Sequence, residues 1–251
     1  MSRATSDSAG QPWAGRTFET NAAAEDDGTA PEHLIEAIRR FRARELGEAE
    51  VVDALRSSRL LVPLVAELGA DGRDEHGHDK TQELSIVTVV GPDGRTVLPA
   101  FTSVAAMSAW NPRARPIPVL AQRVALAAAS EQTDLVVVDA TSATEFVIRR
   151  PALWAMAQEQ PWTPCYLDEA VLDAFADSAA GEAAVRSVAL AAGDSDSRLA
   201  GPELVVVLTL APGLDQARLD ALFERLQGRW AANEVIAQRV DSMTVRLVHS
   251  A

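Results

Sequence analysis

The sequence predicts an α/β fold of the α+β kind: a mixed β-sheet with packed helices, followed by a smaller α+β unit. Three observations predict it. Runs rich in β-branched residues alternate with stretches whose apolar residues recur at helical spacing. "LSIVTVV" (84–90) and "RTVLPAF" (95–101) flank the turn "GPDG", the pattern of a β-hairpin. "DLVVVDA" (134–140) has no polar alternation, as in a strand covered on both faces. These give a flexible N-terminal segment (1–30), an α/β domain (31–160), a proline-interrupted linker (161–169) and an α+β domain (170–251).

Taken in order, Pro31 opens a helix whose Leu34, Ile38 and Phe41 share a face. A second helix over 48–57 places Val51, Val52 and Leu55 together. Residues 59–68 form a strand in which Pro63 marks an edge or an irregularity, because proline donates no ladder hydrogen bond. A polar loop (69–82) leads to the hairpin. Thr102 or Ser103 caps a helix ending at Trp110, and "NPRARPIP" (111–118) is a turn-rich connector. A helix over 120–132 buries Leu120, Val124 and Ala127. The strand at 134–139 pairs with 145–149, forming one sheet with 59–67, 84–90 and 95–101. Pro151 then starts a helix to Gln158. The second unit reads helix (181–192), a polar gap "GDSDSRLAGP", strand (203–210), helix (215–229) with Leu219, Leu222, Phe223 and Leu226 as its apolar stripe, and two strands (234–240, 243–249). A strand–helix–strand order allows a right-handed crossover if its strands are parallel.

Composition excludes several roles. The formal net charge is −13, from 23 Lys and Arg against 36 Asp and Glu, which disfavours nucleic acid and anionic membrane as partners. No apolar run approaches the roughly 18 residues of a membrane span, and the N-terminus lacks the apolar core of a secretory signal. The single cysteine, Cys165, cannot form an intramolecular disulfide and suits a reducing compartment, so a cytoplasmic location is expected.

The most chemical-looking stretch is "DEHGHDK" (74–80), with His76, His78 and Asp79 ahead of a strand. Metal-dependent hydrolases cluster such ligands, but zinc wants three or four around one point, and the remaining His33 and His249 lie in no ligand-like motif. The spacing also fails the further Asp-His or later ligands that known hydrolase patterns require. A solvated loop is the better reading, and no metal is assigned. Cys165 lacks the glycine- or arginine-bearing loop of a catalytic thiolate, and neither a phosphate loop nor a serine-nucleophile elbow occurs. The acid pair Asp168/Glu169 fits a helix entrance. Trp110, Trp154 and Trp162 offer either a binding patch or core closure. No catalytic residue and no cofactor is assigned.

The series "VVDALRSSRLLVPLVAEL", "DKTQELSIVTVVGPDGRTVLPAFTSVAAMSAWNPRARPIPV", "DLVVVD" and "RPALWAMAQEQPWTP" resembles the actinobacterial branch of the SseB family, named for enhanced serine sensitivity. The resemblance runs from about Trp13 to Pro164, and "LPAFTS…AW" joined to "RPIP" carries most of it. It implies an α/β protein without an established catalytic activity, and it includes Asp79 and Lys80 but neither histidine. The expectation is therefore a non-enzymatic interaction or regulatory module that takes a protein partner or a small ligand and is compatible with a homo-oligomer. Asp79, Lys80, Phe101 and Trp110 are the candidate binding residues, with Pro99 to Pro118 as the contact surface. A small-ligand sensor for an amino acid, built on the C-terminal unit, is the alternative. A hydrolase using His76, His78 and Asp79 comes third.

Overall fold

The computed structural model describes residues 26–66, 84–130, 133 and 135–249. His76, His78, Asp79 and Lys80 lie outside these residues, as do Trp13 and Phe18.

Two helices, α1 (Glu32–Arg42) and α2 (Glu48–Arg56), open the fold and bury the apolar faces predicted for them: Leu34, Ile38 and Phe41 from the first, Val51, Val52 and Leu55 from the second. They pack with strand β1 (Arg59–Ala66), β4 (Thr96–Ala100) and β6 (Leu135–Val138) around one large cluster, which α4 (Ala121–Ser130) and α5 (Arg150–Ala157) close. Here β6 is buried along its whole length, as its unbroken apolar run predicts. It pairs antiparallel with β7 (Phe146–Arg149), also as predicted, and parallel with β4.

The single mixed sheet expected for this half is two sheets. The 84–90 run divides into β2 (Leu84–Ile86) and β3 (Val89–Val90). The first joins β1; the second forms the hairpin with β4 across the GPDG turn, where Gly94 takes a positive φ of 82°. The "connector" is itself a strand, β5 (Arg115–Leu120), antiparallel to β1. The orders are thus β2-β1-β5 and β3-β4-β6-β7. They meet at one bridge, where the Leu61 and Phe101 backbones exchange N–H···O bonds of 2.7 and 2.9 Å.

That bridge explains the prolines. Leu61 directs both backbone polar groups toward Phe101, away from β5. Its partner Pro118, and by alternation Pro116 opposite Pro63, therefore turn their missing N–H groups to the free edge of β5, where none is needed. Pro63 falls between the Phe101 bridge and the first β2 pair at Leu64, so β1 carries its proline in a gap of its own ladder. In α3 (Val104–Trp110) the expected cap is Ser103, whose Oγ accepts from the Ala106 N–H at 3.1 Å. The face of α4 is rotated from the expected one. Ala121, Val124, Ala125 and Ala128 are buried, whereas Leu120 ends β5 and is 56% exposed.

The C-terminal half holds α6 (Glu169–Ala179), β8 (Val185–Ala192), β9 (Leu204–Leu210), α7 (Gln216–Ala231), α8 (Glu234–Arg239) and β10 (Met243–His249). Its sheet has the order β10-β9-β8, with β9 and β10 parallel and β8 antiparallel. Two expectations fail here. The 181–192 stretch is the strand β8 rather than a helix: its alanines favour helix, but pairing with β9 overrides that weak preference and turns Val188 and Leu190 to the core. The true helix lies earlier, beginning at the last residue of the expected linker, with Asp168 as its cap, accepting from the Ala170 N–H at 2.9 Å. Likewise 234–239 is a helix, because Asn233 accepts from the Ile236 N–H at 3.1 Å and caps it. Leu222 and Leu226 of α7 are buried as predicted, and Trp230 extends that face. No helix among the described residues is long and apolar enough to cross a membrane.

Candidate functional site

The predicted contact surface proves to be partly interior. Phe101 is fully buried against Leu61 and Met107, and Trp110 covers it at a centroid distance of 5.2 Å. An aromatic at the end of a strand reads equally as an exposed anchor or a core plug, and the β1–β4 bridge decides for the plug. Trp110 keeps one half-buried face. Asp79 and Lys80 are not among the described residues.

The structure instead brings together residues that sequence reasoning left apart. A cleft of about 410 Å³ lies between α5, the 158–163 connector and α8. Trp154 and Trp162 form its apolar part; Gln158, Gln160 and Gln238 supply polar groups, and Asp168 and Arg239 line its end. Volume and lining suit a small ligand or a few side chains of a partner. Each wall has a reason to stay in place. Arg150 donates to the Ala237 and Val240 carbonyls at 3.1 and 2.8 Å, holding the last turn of α8 to the start of α5. Its guanidinium lies 5.1 Å from the centroid of the Trp154 ring. Asp168, already the cap of α6, accepts from Arg239 at 2.8 Å. Trp154 remains 41% exposed, whereas the other tryptophan of the cleft is half-buried against the first core. The sequence does not reveal which of Trp110, Trp154 and Trp162 converge; the fold of 158–163 does.

Behind the cleft lies a buried polar seam. Arg149, 3% exposed at the end of β7, donates to Asp194 at 2.7 Å, Gly201 O at 3.0 Å, Asp241 at 3.0 Å and Ser242 at 3.2 Å. Asp194 also accepts from the N–H groups of Arg198 and Leu199, and Arg95 reaches Asp241 with bonds of 3.0 Å. Glu48 accepts from Ser197 at 2.8 Å and from Tyr166 at 3.3 Å. The backbone N–H of Asp241 donates to Glu203 Oε2 at 2.7 Å, while Glu203 Oε1 is buried without a hydrogen-bond partner among the described residues. The "polar gap" 193–202 is thus partly interior: Asp194 and Ser197 are buried and Leu199 plugs a second core with Val97, Leu135 and Val147; Ser197 and Leu199 both take a positive φ.

Four carboxylates face two guanidinium groups across this seam, and burial pushes the Glu203 carboxyl up to about 7. Burial raises Glu48 in the same direction. Cys165, buried beside Glu203, has its thiol pushed well above the ordinary range by burial first and by that carboxylate second, so it is held protonated. The linkage has a definite sign. Between about pH 4.5 and 7 the folded chain binds more protons at Glu203 than the unfolded chain, so stability falls as pH rises through that window. At 1.36 kcal/mol per unit the full effect is about 3 kcal/mol. Glu203→Gln should flatten this part of the pH–stability curve and leave the variant more stable than the parent at pH 8 by urea unfolding. An unchanged slope would place Glu203 in contact with water.

Among the described residues no group of three His, Cys, Asp or Glu is placed to hold a metal ion. Comparison with curated proteins and with solved structures found no match to this chain. Residues 34–155, which supply β1 to β7 and the Trp154 wall of the cleft, match the SseB protein N-terminal domain, and through that domain the chain belongs to the SseB family.

Proposed function

We propose that this chain is a non-enzymatic binding module of the SseB type and that it captures a protein partner through the cleft at Trp154. The observation that carries the reading is the exposed indole of Trp154, fixed under Arg150 at the mouth of a cleft with mixed apolar and amide lining. Exposed tryptophan is costly in water and is enriched where partners dock. The thiol of Cys165, buried and held protonated, supports binding over covalent catalysis.

Trp154→Ala should remove the partners retained by the parent chain from a cell extract, and Trp110→Ala should not. Both substitutions lie on half-buried or exposed rings, so thermal unfolding checks that each variant stays folded. An identical partner list for the parent and Trp154→Ala ends the assignment. The cleft volume also favours a second reading, a small-ligand sensor for an amino acid. On that reading amino acids at millimolar concentration raise the unfolding temperature of the parent but not of Trp154→Ala. No rise with any amino acid rejects it.

A further inference from the structure

We propose that the free edge of β8 is the dimerisation site of the chain, pairing antiparallel with β8 of a second copy. The ladder between β8 and β9 fixes which backbone groups are available. Gly193 N–H donates to Glu203 O, so the odd-numbered residues of β8 direct their polar groups to β9. By alternation the N–H and C=O groups of Val188, Leu190 and Ala192 point to the outside of the sheet. None of them has a hydrogen-bond partner among the described residues.

An open edge of this kind is a template for another strand, and proteins ordinarily blunt it with proline or charge. The chain applies that device to β5, where Pro116 and Pro118 stand on the free side. On β8 a charge stands only at the start of the strand, at Arg186, and the stretch from Ser187 to Gly193 holds neither proline nor charge.

A second copy fits this edge in register. A twofold axis at Leu190 pairs Leu190 with itself and Val188 with Ala192 of the partner, so the outward groups of both strands are satisfied reciprocally. On the core face Leu190 then meets its own copy, joining two apolar clusters to which Val188 and Leu190 already belong. On the opposite face Ala189 meets Ala191, so two chains of net charge −13 approach through an uncharged strip. Beside β8 runs a groove of about 290 Å³, lined by Leu167 and Leu172, which are 65% and 38% exposed. These leucines flank the joined strands and are covered by the partner. The result is one continuous six-stranded sheet.

Sedimentation equilibrium of the full chain, with hydrogen exchange at each amide, tests this. The expected mass is twice 26.8 kDa, with the amides of Val188, Leu190 and Ala192 protected in a concentration-dependent manner. Leu190→Pro, which repeats on β8 the device seen on β5, should give a monomer. Val245→Pro on β10, the other edge of the sheet, should leave the dimer intact. Should Leu190→Pro unfold the chain, the exchange pattern of the parent decides alone. A monomer at every concentration up to about 1 mM overturns the proposal. So does a dimer whose three β8 amides exchange freely, or one that Val245→Pro dissolves and Leu190→Pro does not.

Discussion

Replacing Arg149 with methionine lowers the free energy of unfolding by about 3–5 kcal/mol, measured by urea denaturation at pH 7. Arg149 is 3% exposed and is shared by Asp194 and Asp241, each with a side chain 2% exposed. Methionine matches its length and apolar stem, so the loss comes from the carboxylates left behind rather than from a cavity. Asp241 retains Arg95, but Asp194 retains only backbone N–H donors from the 194–200 turn. Adding Asp194→Asn to Arg149→Met therefore restores part of the loss, since it removes the charge that has no counter-ion. Lysine at 149 rescues little, because one ammonium cannot reach four acceptors arranged around a planar fork. A loss below about 1 kcal/mol for Arg149→Met is the value of a solvated pair and would show that water reaches the seam.

Phe101→Ala is the second large effect, a loss of about 3–5 kcal/mol, because the ring is fully buried and its removal leaves a cavity under Trp110. The same substitution separates core from surface. If Phe101 serves packing alone, Phe101→Leu, which refills most of the volume, binds partners as the parent does, and its unfolding midpoint lies between those of parent and alanine variant. Weaker binding by a Phe101→Leu protein of near-parental stability would return the Pro99 to Pro118 segment to the contact surface.

These two residues show what the sequence can and cannot convey. Periodicity located the buried faces of α1, α2 and α7, and an unbroken apolar run identified β6 as a strand covered on both sides, because burial leaves a direct imprint on local pattern. Caps at Ser103 and Asp168 were legible for the same reason: a helix end demands a particular atom at a particular place. Edge strands were not. The prolines of β5 resemble a turn until the partner strand shows that their missing donors face outward, and the alanines of β8 resemble a helix until β9 stands beside them. The seam was least legible. "GDSDSRLAGP" has the composition of a solvated loop, yet Asp194 and Ser197 are buried because Arg149 and Glu48, distant in sequence, supply the partners that water would otherwise provide. The cleft has the same origin, since Trp154 and Arg239 are far apart in the chain and only the fold brings them together. The chemistry-rich cluster at 74–80, by contrast, falls outside the described residues.

The family match ends at residue 155, but the loop bearing Leu199 crosses that limit. Leu199 fills the face formed by Val97, Leu135 and Val147, and Val147 N–H donates to Ser197 O at 2.8 Å. A fragment cut after the matched segment would expose that face and strand a buried guanidinium without either of its carboxylates. The matched segment and the packing unit of this protein therefore differ: the N-terminal half is completed by a plug from the C-terminal half, so the two halves should unfold in one cooperative transition.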